Sequence, residues 1–170
     1  MIGTGICMPN CGMTFAVTVV RVSADEATFP AAVEVFRAYQ ALYGHVLDVD
    51  AVRSWLAAQV SSQRMRVYLA HVDDGGALTP AGVMTVVPIP ASLRLGVFWN
   101  VRDLFVSPEH RRGGVARALL DAVQADARSQ GCLRLSLQTE SDNVMALQFY
   151  RGYGFEPVSG LDSLILTLRM

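Results

Sequence analysis

Residues 103–120 read DLFVSPEHRRGGVARALL, and the fold is decided in this stretch. An apolar run ends at Val106, a loop carries Pro108, Glu109, His110, Arg111 and Arg112, and the pair Gly113, Gly114 opens a helix. Downstream, Val115, Ala118, Leu119, Ala122, Val123 and Ala127 recur at gaps of three and four, one face of an amphipathic helix that Gly131 stops. Residues 95–106 (LGVFWNVRDLFV) predict a long strand with room for a bulge, and residues 133–139 (LRLSLQT) alternate with a period of two. Strand, helix and strand make a βαβ unit, so a right-handed crossover should set the two strands parallel. The start of the helix has the chemistry of an anion site. Its first N–H groups lack partners, the macrodipole favours negative charge, glycine admits a phosphate to the backbone, and Arg111 and Arg112 stand beside it. An ordinary glycine loop before a helix has the same pattern, and the stretch alone leaves both readings open. The P-loop and dinucleotide fingerprints are absent.

Outward from this unit, residues 15–22 (FAVTVVRV) predict a first strand and residues 31–43 a helix ended by Gly44. A second helix starts near Asp48 or Asp50 with Val52, Trp55, Leu56 and Val60 on one stripe, and Trp55 is expected in the core. Residues 66–72 (RVYLAHV) and 81–87 (AGVMTVV) read as a hairpin through the turn at 73–76, and Pro88 and Pro90 are expected to close its second strand. A short helix over 143–151 and a strand over 164–168 complete the order. The expectation is an α/β domain over residues 13–170 with one mixed sheet of about six to seven strands and four helices. Residues 1–12 lack a basic or long apolar region and are expected to be a flexible leader rather than a signal peptide.

Composition narrows the function. Fourteen Lys+Arg against fifteen Asp+Glu leave a formal net charge of −1, without the basic excess of a general nucleic-acid binder. With 52% hydrophobic residues the chain can offset the entropy of ordering, and no apolar run approaches a membrane span. Cys7, Cys11 and Cys132 form neither a disulfide framework nor a CxxC pair, which favours a reducing, cytoplasmic setting. His45, His71 and His110 share no ligand spacing, so no metal is expected.

Two motifs carry a resemblance. Val106, Pro108, Glu109 and Arg111 lead into Arg111, Arg112, Gly113, Gly114, Val115 and Ala116, which resembles the R/Q-x-x-G-x-G/A signature of the GNAT superfamily of N-acetyltransferases. Asn143, Ala146, Phe149, Tyr150, Gly154 and Phe155 resemble its second motif. Together, separated by one helix and one strand, the two are far more specific than either alone. Residues 39–50 and the WNVRDLFVSP run are similar to a branch acting on small amines and histone-like substrates.

The resemblance implies acetyl-CoA as co-substrate, with its pyrophosphate held by the backbone of residues 111–116 and its pantetheine arm along Leu104, Phe105 and Val106, where two parallel strands splay. It further implies that Asn143 bonds that arm and that Phe149 and Tyr150 lie on the donor side, Tyr150 close to the sulfur. An amine attacks a thioester directly, so the site must align the reactants, stabilise the oxyanion, take a proton from the ammonium and return one to the thiolate. Tyr150 is the candidate acid and Asp103 the candidate base, direct or through water, although Asp103 equally fits a residue capping a bulge. Tyr39, Tyr43, Trp99 and Glu140 are the candidate acceptor residues. A non-catalytic acyl-CoA sensor is the alternative function. The strand at 164–168 fits a homodimer interface as well as internal packing.

Overall fold

The computed structural model describes residues 16–73 and 75–160. They fall into two compact units, one reaching Gln138 and one starting at Thr139. The first holds β1 (Val17–Val22), α1 (Phe29–Leu42), α2 (Val49–Ser61), β2 (Arg66–Asp73), β3 (Leu78–Ala91), β4 (Gly96–Val106), α3 (Val115–Ser129) and β5 (Leu135–Leu137). Single 3₁₀ turns at Ser92–Arg94 and Pro108–His110 flank β4. The second unit holds α4 (Val144–Tyr153).

The sheet order is β1-β2-β3-β4-β5, antiparallel through β4 and parallel between β4 and β5. The βαβ unit is therefore present as β4, α3 and β5. The described residues contain five strands against the six to seven expected. The expected strand at 164–168 and the leader at 1–12 lie outside the described residues.

Local chemistry explains the helix starts. Pro30 occupies the first turn of α1, where its fixed φ suits the helix and its missing N–H costs no bond. Asp48 caps α2 by accepting from the N–H groups of Asp50 and Ala51 at 3.0 and 2.9 Å.

Pro88 and Pro90 do not close β3, which runs through both to Ala91. The reason is one-sided pairing: the last β2 partner of β3 is Arg66 opposite Val86, while β4 continues beside it to Gly96 opposite Ala91. Beyond Val86 one edge of β3 is bare, and a residue without an N–H costs no ladder bond there.

Apolar side chains fill both faces of the sheet. On one face, Phe29, Val33 and Phe36 of α1 and Val52 and Leu56 of α2 pack with Val67, Leu69, Val83 and Phe105. On the other, α3 lies against the strands and buries Val115, Leu119, Leu120 and Val123. Trp55 is not core: it is 47% exposed and stacks its inner side on Phe36.

The expected bulge is at Arg102. Thr85 pairs with Asp103 and Val86 with Val101, leaving Arg102 without a partner on β3. One extra residue inverts the strand's alternation. Trp99 accordingly lies under the Arg66 guanidinium, 4.2 Å from the ring centroid, and Arg66 bonds Gln130 at the end of α3. Asp103 and Phe105 instead face Tyr39 of α1.

Candidate active site

The donor side is built where β4 outruns β5. Only Trp99, Asn100 and Val101 pair with β5, so residues 102–106 have β3 on one side and no β5 partner. The Ser107 N–H donates to Ala81 O across the β3 side at 2.9 Å. Peptide groups alternate along a strand, so those of Phe105 also turn toward β3, while those of Leu104 and Val106 turn to the bare side. A strand edge with free amides there suits an extended amide-bearing chain, and Leu104 and Val106, rather than Phe105, offer N–H groups to a developing oxyanion.

The loop that follows is fixed by its own side chains. Arg111 Nε donates to Val106 O at 3.1 Å, lashing the loop back to the strand end. Arg112, exposed, takes a positive φ of 64°. Gly114 is the N-cap of α3 with φ 87°, and no side chain caps the helix. The first intrahelical bond runs from Ala118 N to Gly114 O, so Val115 and Ala116 lack intrahelical acceptors for their N–H groups. A Cβ built on Gly114 meets no atom within 4 Å, which leaves this helix start open to an approaching group. Uncapped amides, the positive end of α3 and the Arg112 charge fit a diphosphate.

Three residues before the end of β4 lies a carboxylate held by a buried hydroxyl. Thr85, wholly buried on β3, donates to Asp103 Oδ2 across the strand pair. Tyr39 of α1 stands close enough to Asp103 to feel its charge, and burial, followed by that charge, pushes its phenol well above the ordinary tyrosine value. Tyr39 therefore keeps its proton at neutral pH. Tyr43 stands edge-on to Tyr39 at 5.2 Å and is 57% exposed, giving the carboxylate an aromatic approach from solvent.

The remaining predicted residues belong to both units. Trp99, expected at the acceptor pocket, is only 1% exposed and belongs to the α3 face, because the bulge separates it from Asp103. In the second unit, Asn143 caps α4 by accepting from Ala146 N at 3.1 Å, which occupies its carbonyl oxygen and leaves its amide as a donor. Tyr150 packs between Phe149 and Phe155 at 5.4 and 5.7 Å between centroids. Glu140 is exposed before that helix. Among the described residues no three His, Cys, Asp or Glu gather to hold a metal, and no helix is long and apolar enough to cross a membrane.

Two residues escaped the sequence reading. Thr85 stands alone as a hydroxyl in the apolar run AGVMTVV, and a buried hydroxyl requires a partner; that requirement was the available signal. Gly82 faces the end of β4 so closely that a Cβ would lie 2.7 Å from Phe105 O. Nothing local in the sequence marks it.

A strand that outruns its parallel neighbour, an open glycine-started helix after it and a hydrogen-bonded carboxylate on that strand fit an acyltransferase, and the family match makes the chain one. The chain belongs to the acetyltransferase (GNAT) family, whose model matches residues 32–155. Members of this family use acetyl-CoA as co-substrate. The chain is 27% identical over 125 residues to the uncharacterized N-acetyltransferase YhfO of Bacillus subtilis (strain 168), covering 74% of this chain and 81% of that one. It is 42% identical over 109 residues to the aminoglycoside N(6')-acetyltransferase type 1 of Stenotrophomonas maltophilia, covering 64% and 71%. A crystal structure described as a probable acetyltransferase superposes with a TM-score of 0.79 at 25% identity, over 89% of this chain and 98% of that one.

Proposed function

We propose that this chain transfers the acetyl group of acetyl-CoA to a primary amine by direct attack, with Asp103 as the base, direct or through one water, and Tyr150 as the acid. The observation that carries the reading is the Asp103 carboxylate, clamped on the same stretch of β4 whose amides face the bare edge. The amides of Leu104 and Val106 align the pantetheine arm and polarise the thioester carbonyl. The start of α3 with Arg112 holds the diphosphate. Bound there, acetyl-CoA supplies the activated acyl group.

Asp103 accepts the proton that an alkylammonium, with a pKa near ~10, must lose before it can attack. Tyr150 returns a proton to the departing thiolate; the match of residues 143–155 to the family's second motif supports that role. Tyr39 and Tyr43 present aromatic surface to a cationic acceptor. The likeness to an aminoglycoside acetyltransferase supports a polyamine acceptor of that kind.

Thiol release from acetyl-CoA, measured across aminoglycosides, linear polyamines, amino acids and lysine peptides, tests the proposal. Wild type should turn over at least one polyamine. Tyr150→Phe should keep acetyl-CoA affinity within twofold and lose about 10²-fold or more in turnover. A protein stabilised by acetyl-CoA but inert on every amine would be a sensor, and the proposal would fail.

A further inference from the structure

Asp103 follows directly after the bulge, where the pairing of β3 and β4 has just shifted by one residue. A side chain beside such an irregularity is not oriented by the ladder alone. Its partner Thr85 comes from β3, in a run whose other members, Ala81, Gly82, Val83, Met84 and Val86, are buried and apolar. A hydroxyl at that position adds nothing to packing that a valine methyl would not. Its one hydrogen bond goes to Asp103. Tyr39 of α1 stands near the same carboxylate and feels its charge.

We propose that Thr85 is a positioning residue: its hydroxyl fixes the Asp103 carboxylate in the single orientation from which it meets the acceptor's ammonium. The inference rests on the role given to Asp103 above. The arrangement also assigns the hydroxyl its direction. The Thr85 hydroxyl donates, and Tyr39 stays protonated through neutral pH, so neither competes with the carboxylate for the acceptor's proton. A carboxylate released from Thr85 would keep its place in the strand but lose its aim. The defect should therefore fall on kcat for the amine rather than on acetyl-CoA binding.

The test uses Thr85→Val, Thr85→Ser, Tyr39→Phe and Asp103→Asn in the full chain. Thr85→Val should lower kcat about tenfold or more with the amine KM changed less than threefold and acetyl-CoA affinity unchanged, and Thr85→Ser should restore kcat to within twofold. Tyr39→Phe should lower kcat by less than Thr85→Val. In a crystal structure of Thr85→Val the Asp103 carboxylate should leave its wild-type position. Retained kcat in Thr85→Val, no rescue by serine, or an unmoved carboxylate would each overturn the inference. Asp103→Asn separates the two levels. If it loses turnover while Thr85→Val does not, the positioning role alone is refuted; if it keeps full turnover, the base assignment is refuted and the inference falls with it.

Discussion

Gly82→Ala probes the seam that joins the sheet to the donor side. Gly82 pairs with Val106, the last residue of β4, and an ideal Cβ there would lie 2.7 Å from Phe105 O, 3.1 Å from Val115 Cγ1 and 3.4 Å from Val106 Cα. The nearest atom is a backbone carbonyl in a ladder, which cannot swing aside as a side chain can. Restoring an ordinary contact of 3.4 Å requires the strands to part by about 0.7 Å at that point. Overpacking of this kind costs roughly 1 to 3 kcal/mol, against about 0.4 to 1 kcal/mol gained from the stiffer unfolded chain. The clash wins, leaving a net loss near ~1 to 2 kcal/mol. At this size each kcal/mol moves Tm by roughly 2 to 4 °C, so calorimetry should show a drop of about 2 to 8 °C. The displacement falls on the end of β4 and the first residue of α3, so isothermal titration should show acetyl-CoA binding several-fold more weakly. A variant that melts at or above wild type with unchanged affinity would refute the reasoning.

Further expectations concern the start of α3 and acid stability. A Cβ at Gly114 meets no atom of the protein within 4 Å, so the penalty of Gly114→Val is chiefly conformational, about 1 to 2 kcal/mol for a branched side chain at positive φ, plus obstruction of the phosphates. Acetyl-CoA affinity should fall about tenfold or more, and unimpaired affinity would move the diphosphate elsewhere. Asp126 on α3 is subject to burial that opposes its charge, but hydrogen bonds from Tyr68 and Gln130 and the charges of Arg21 and Arg66 outweigh it and hold the carboxyl below its ordinary range. A depressed folded value means stability present above the unfolded pKa of ~3.9 and lost as pH falls through the folded one. Wild type should lose Tm more steeply below pH ~4 than Asp126→Asn; equal slopes would show that the network does not couple to folding.

Much of this was legible in the chain. The βαβ unit could be read because the period of α3, the Gly114 start and the Gly131 stop are local signals. The motifs supplied the expected donor residues, of which Arg111 ties the loop to Val106 O and Gly114 starts α3. Trp99 was misplaced because strand alternation puts residues 99, 101, 103 and 105 on one face unless a bulge intervenes, and Arg102 carries no local mark of being the extra residue. Pro88 and Pro90 misled because their tolerance depends on where β2 begins, a tertiary fact. Thr85 was missed because its partner is 18 positions away.

The single unpaired residue at Arg102 divides β4 into two inheritances. Changes at Trp99 and Val101, before it, are screened by α3 and the Arg66 side chain. Changes at Asp103 and Phe105, after it, are screened by α1. A descendant of this chain can thus retune its choice of acceptor without disturbing the helix that begins at the diphosphate site. Loss of that one residue would leave Asp103 opposite Thr85 and both faces as they are, because the pairing on either side already runs as though Arg102 were absent.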